Sequence, residues 1–281
     1  VYAEKFNEKV DREQKHLQKF VDRFRYKASK ATQAQSKLKA IARLKHVDVA
    51  SPLKGVSIVI PGVTARKGLA LRVNNVTIGY PEKTVAGGIT FDVNRGQHVA
   101  IIGDNGQGKT TFLKTIAGEL SALAGSFYWS AGMSVAYYAQ HVPSGLNDLL
   151  SAWEYLRQVA PTDVDRQDIL RMAGNFLFDR DGLEKKIAML SGGERARLCL
   201  AGILLSKHDV LILDEPTNHL DFDTVEALER ALEAFPGTVF FVSHNRAFVN
   251  SLATMIVEVG GGQVRPYRGT YDEYVWQLEK N

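Results

Sequence analysis

Apolar residues in the first 47 positions recur every seven, at Val10, Leu17, Phe24, Ala31 and Leu38, while Val21, Ala28 and Ala42 fill part of a second seam. This stretch has no Gly or Pro and is rich in Lys, Gln, Glu and Ala, a helix-forming composition. So narrow a stripe predicts a coiled coil or a helical hairpin. A single helix would run roughly 70 Å at 1.5 Å per residue; a hairpin would turn near Ser29–Thr32, where a hydroxyl can cap the second helix. Residues 48–68 carry Pro52, Gly55, Pro61 and Gly62 around the β-branched run Val56 to Ile60, which predicts a connector with one short strand. From 69 to 102, short β-like runs alternate with Gly-rich turns and end in Val99-Ala100-Ile101-Ile102. Lys109 to Ala117 reads as helix, Met133 to Ala139 as strand, and 146–208 as mainly helical. A strand at 209–214, a helix from about Asp223 to Ala234, a strand at Thr238 to Val242 and a helix at 245–253 follow. A short strand pair and a last helix at 271–280 close the chain. Strands alternating with helices specify an α/β core, and no internal repeat is visible.

Length and composition narrow the classes. The 281 residues, 45% hydrophobic, suit one or two domains with a buried core. One cysteine, Cys199, excludes a disulfide framework and a multi-cysteine zinc site and points to a reducing, cytoplasmic setting. The longest stretch without charge, Leu120 to Asn147, is broken by Gly, Ser, Gln and Pro and does not read as a membrane span. The chain opens at Val1 in helix-like sequence without a secretory signal, and reads as a piece of a longer protein. Its charge is uneven. Residues 1–50 hold 13 Lys/Arg against 6 Asp/Glu; the remaining 231 hold 22 against 25. The basic segment faces a polyanion or is a solvated helix.

Two motifs carry the chemistry. Gly103-Asp104-Asn105-Gly106-Gln107-Gly108-Lys109-Thr110-Thr111 follows an apolar strand and opens a helix, the context a P-loop needs. Its glycines let backbone N–H groups surround phosphates, Lys109 neutralises the outer ones, and the Thr110 hydroxyl suits Mg²⁺. Val210-Leu211-Ile212-Leu213-Asp214-Glu215 is an apolar strand ending in two carboxylates, delivered to the edge where α/β sheets bind ligands. Asp214 can hold the metal, and Glu215 can orient and deprotonate a water. Together they describe binding and hydrolysis of a nucleoside triphosphate. Ser191-Gly192-Gly193-Glu194 opens a further helix and makes a second anion site.

Ser191 to Glu194 resembles the signature motif of ABC ATPases, which meets the γ-phosphate of ATP held by a partner domain. That resemblance implies a mixed sheet core, an antiparallel β subdomain and a helical subdomain over 69–281. It also implies roles for single residues: Gln140 as the Q-loop residue touching Mg²⁺ or the attacking water, and His244 after Ser243 as the switch histidine. Tyr80 matches the aromatic that stacks on adenine, and Asp221 the D-loop that crosses to the partner. Glu215-Pro216-Thr217-Asn218-His219-Leu220-Asp221 looks like the ABC-F branch, and Phe20 to Arg25 and Lys27 to Lys37 resemble its interdomain linker. The resemblance implies a partner in the first ABC domain of the full-length chain or in a second copy placed head-to-tail. It further implies that the arm (1–47) meets the ribosome, its rRNA and tRNA, through Arg23, Arg25, Lys27, Lys30, Lys37 and Lys39. Asn245 and Gln107 depart from the usual pattern without removing a catalytic group. The rivals are a transporter ATPase, needing a membrane partner and no basic arm, and a DNA-associated ABC ATPase. The single cysteine and the short span from Gln140 to Ser191 disfavour the latter. A nucleotide sensor without turnover is disfavoured by Glu215 and His244.

Overall fold

The computed structural model describes residues 56–64, 67–139 and 146–280. The expected arm at 1–47 and the expected role of Gln140 fall outside these residues. A six-stranded sheet forms the centre, in the order β5 (Val135–Tyr138), β6 (Val210–Asp214), β7 (Thr238–Val242), β3 (His98–Ile102), β8 (Met255–Gly260), β9 (Gln263–Arg268). Its first five strands are parallel, and β9 closes one edge antiparallel to β8. A second, antiparallel sheet has the order β2 (Lys83–Asn94), β1 (Leu69–Tyr80), β4 (Ala124–Trp129).

Strand periodicity divides the core in two. In β6, Val210 and Ile212 join one cluster while Leu211 and Leu213 join the other; in β7, Phe240 and Val242 separate from Val239 and Phe241 in the same way. One cluster lies between the sheets and takes in Phe112, Leu113 and Ile116 of helix α1 (Lys109–Ala117) together with Leu71, Val73 and Ile78 of β1. Trp129 joins it edge-on to Phe240 at 5.6 Å, its indole N–H donating to the Ile116 carbonyl at 2.9 Å. The other cluster is helical. It gathers α2 (Ala152–Val159), α3 (Arg166–Asn175), α4 (Arg180–Glu184), α5 (Gly192–Leu205), α6 (Phe222–Glu233) and α7 (Arg246–Leu252) against the opposite face. Helix α8 (Tyr271–Lys280) ends the described chain.

Two expectations need correction, and one strand lies where none was expected. Val56 to Ile60 forms no strand: its side chains alternate inward and outward, but the segment pairs with no described strand and runs extended over helices. Alternation reports which side is buried; a strand also needs a neighbouring backbone. The runs in 69–102 are longer than they read, since β1 and β2 are 12 residues each. Register shifts absorb the glycines and asparagines that look like turns. The six-residue strand β4 has no counterpart in the sequence reading; all its residues are exposed or half-buried, so it lacks an apolar run.

His98 starts β3 buried, with Nε2 3.2 Å from the Phe235 carbonyl. Burial pushes its pKa below the ordinary imidazole value. A depressed histidine pKa means the unfolded chain takes up the proton first as acid is added, so stability falls as pH drops through about 6.5. We expect the melting temperature to fall between pH 7.5 and 5.5, and to fall less in His98→Gln, measured by thermal denaturation across pH. An equal fall in both would remove His98 as the cause.

Candidate active site

Three adjacent parallel strands deliver the chemistry to one edge. β3 runs into the glycine loop, β6 into Asp214-Glu215, and β7 into Ser243-His244. They end together because the register pairs Val99 with Phe240 and Leu213 with Phe241. The loop can curl only with glycine. At Gly103 (φ +140°) a Cβ would lie 2.0 Å from the Val259 carbonyl oxygen, and at Gly108 (φ +109°) 2.2 Å from Val85 Cγ1. Gly108 caps α1 without a side-chain acceptor, leaving that helix's first N–H groups to an anion.

Lys109 lies along the loop. Its ammonium donates to the carbonyls of Gly103 at 2.8 Å and Asp104 at 3.0 Å. An ammonium has three hydrogens, so one remains for a ligand. A cleft of about 440 Å³ opens here, lined by Tyr80, Asn105, Gly106, Gly108 to Thr111, Asp214, Glu215 and His244. Tyr80, one of the residues lining it, is 46% exposed. Gly103, Asp104 and Gln107 line a second, adjoining cleft instead.

Asp214 and Glu215 are 1% and 4% exposed. Glu215 has a left-handed backbone (φ +55°), rare for a residue with a side chain, and its N–H donates to the Val242 carbonyl at 3.0 Å. That turn aims the carboxylate into the cleft. His244 Nε2 lies 3.3 Å from Glu215 Oε1, and the His244 N–H donates to Oε2 at 3.4 Å. Burial is the largest influence on Glu215 and raises its pKa; Asp214 adds to the rise, while His244 and Lys109 oppose it.

The Ser191 group stands apart: neither it nor the three residues after it line this cleft. Ser191 caps α5 in a capping box, accepting from the Glu194 N–H at 3.3 Å while its hydroxyl donates to Glu194 Oε2 at 2.7 Å. It is exposed. A Cβ on Gly193 would lie 3.9 Å from the His219 ring, so the start of α5 adjoins the turn leading to Asp221. Asp221 caps α6 by accepting from the Thr224 N–H at 2.8 Å. Sequence reasoning missed Lys83 and Val85, which line the cleft from β2. Only the hairpin register, pairing Tyr80 with Lys83, brings them over the loop, and no motif spacing encodes it.

A family model described as ABC transporter matches residues 86–218, and a second with the same description matches residues 2–56. The chain contains an ABC ATPase domain. Domains of this class bind ATP. Its relatives include the probable ATP-binding protein YbiT of Escherichia coli O157:H7, 36% identical over 92% of this chain and 49% of that protein. ABC transporter F family member 3 of Arabidopsis thaliana is 32% identical over 98% of this chain and 38% of that protein. The latter carries the name of the branch that residues 215–221 resemble. The chain thus spans half or less of these relatives. In fold, the ABC domain is similar to the ATP binding subunit of an ABC transporter, with TM-score 0.62 and 26% identity over 75% of this chain and 93% of that one.

Glu215→Gln keeps the side chain's shape and removes the buried charge. A raised carboxylate pKa contributes stability below about pH 4.5 that is lost as pH rises through the folded-state value. The ABC domain carrying Glu215→Gln should therefore melt higher than the parent at pH 7.5, with the gap closing towards pH 4.5. A gap that is absent or reversed at pH 7.5 would mean that the Glu215 charge is fully compensated by its neighbours.

Proposed function

We propose that this chain belongs to an ABC-F type ATPase of the cytoplasm that works on the ribosome, with ATP closing paired ABC domains and moving a basic arm (1–47) towards rRNA and tRNA. Residues 48–68 connect that arm to the ABC domain at 69–281. The observation that carries this reading is the divided site: Lys109, Asp214, Glu215 and His244 share one cleft, while Ser191 is presented outside it. A signature that does not meet its own chain's cleft serves ATP held by another ABC domain, either the first domain of the longer protein or a second copy head-to-tail.

The Thr110 hydroxyl and the buried Asp214 carboxylate line the same cleft, a hard-oxygen donor set that fits Mg²⁺. When bound, the metal neutralises phosphate charge. Gln140 belongs to the same role in the family pattern. Glu215 accepts a proton from water as the water oxygen bonds to the γ-phosphorus. The bond from phosphorus to the bridging oxygen breaks, the electron pair leaves with ADP, and phosphate and a proton result. The raised pKa of Glu215 makes it a better base near neutrality than an exposed carboxylate. His244 holds Glu215 and contacts the γ-phosphate. The Ser191 hydroxyl turns from Glu194 to the partner's γ-phosphate. Hydrolysis removes the charge that joins the halves.

The ribosomal part rests on the ABC-F resemblance and on the basic arm, whose Lys and Arg suit RNA phosphates. The transporter reading has less support: the branch-like residues 215–221 and the F-named relative point elsewhere, and among the described residues no helix is long and apolar enough to cross a membrane.

Glu215→Gln should bind ATP like the parent while hydrolysis slows by about 10²-fold or more, the usual contribution of a general base, read by phosphate release. Normal turnover would remove Glu215 from that role. With ATP, the full-length Glu215→Gln protein should co-sediment with ribosomes, and the bound fraction should fall steeply with salt. Co-sedimentation with membrane vesicles instead would favour the transporter reading.

A further inference from the structure

The connector continues onto the ABC domain as an extended strap at 56–63. Ile58 is 5% exposed within the core cluster that holds Ala227 and Ala231 of α6. Val56, Ile60 and Val63 pack partly against the same cluster. One side chain pins the strap's backbone: Asn175 Nδ2 donates to the Ser57 carbonyl at 2.7 Å. The same residue reaches a second element through its own carbonyl, which accepts from Thr224 Oγ1 at 3.3 Å. Thr224 is fully buried, and its N–H donates to Asp221 Oδ1 at 2.8 Å. The next residue, Phe176, accepts from Arg197 Nε of α5 at 3.1 Å. Residues 175–176 therefore touch the strap, the helix start capped by Asp221 and the helix opened by Ser191. The turn that follows is held in an unusual conformation, with Leu177 at φ +65°.

We infer that Asn175 is a positioning residue that couples the strap to the Asp221 loop. The strap is the stretch of chain leading back to the arm segment. A pull on it reaches Thr224 through two hydrogen bonds at Asn175, and Asp221 through a third, from the Thr224 N–H. Closure at Asp221 returns along the same path. The side-chain amide is needed for the strap leg alone, because its Nδ2 donates to the Ser57 carbonyl; the leg to Thr224 uses the backbone oxygen, which any residue would supply. The functional meaning rests on the proposed reading of Asp221 and Ser191 as the groups that meet a partner domain; the coupling itself is a property of this chain.

Hydrogen exchange on the full chain tests it. Ile58→Ala loosens the strap without touching Asn175. It should speed exchange of the amides at 217–222 about fivefold, the effect of one net hydrogen bond. In the Asn175→Asp background, which keeps the backbone contact but lacks the Nδ2 donors, Ile58→Ala should change those amides by less than about twofold. Thr224→Val, cutting the other leg while sparing the strap, should likewise silence the response. If Ile58→Ala speeds 217–222 equally in all backgrounds, or in none, the inference is overturned. Binding of a fluorescent ATP analogue by the same samples reports on the cleft alone. Failure to bind would overturn the proposed function, and the exchange comparison would still decide the coupling.

Discussion

Two adjacent carboxylates buried at the end of one strand set the terms for this domain. Removing like charges from water side by side is costly, and Asp214 and Glu215 stand at 1% and 4% exposure. The surroundings answer that cost with Lys109 and His244, both of which draw Glu215 towards its charged form. The geometry that allows this is the alignment of β3, β6 and β7, whose ends bring a cation, two carboxylates and an imidazole to one edge. Glu215 gives up an ordinary backbone conformation to face the cleft, and the Val242 carbonyl holds it there.

The second feature is what that edge lacks. The start of α5 lies outside the cleft, the Ser191 hydroxyl held by Glu194. In the proposed reading, a site divided this way has ATP link two domains, because Ser191 to Glu194 do not line the cleft of Lys109. The Asn175 contacts extend this logic from the edge of the sheet to the strap.

Much of this was legible in the sequence because strand and helix signals there are strong. Helix Lys109–Ala117 and strand Thr238–Val242 occupy the predicted residues, since each combines an apolar pattern with flanking turn chemistry. Strand β4 was not legible: only Phe127 and Trp129 of its six residues reach the core cluster, too short a run to show a period. The Val56 to Ile60 run shows the converse, a strand-like alternation without a pairing partner. Tyr80 was found by family pattern, but Lys83 and Val85 became visible only once the hairpin register brought them over the loop. Asn175 left no sequence signal, because its role depends on three elements meeting in space.

The most direct measurement is the structure of full-length Glu215→Gln protein with Mg·ATP. The expected result is a triphosphate held by the Gly103–Thr111 loop on one side and by a serine-glycine helix start from a different ABC domain on the other. A nucleotide capped by Ser191 of its own domain, or seated outside the cleft of Lys109 and Glu215, would contradict it.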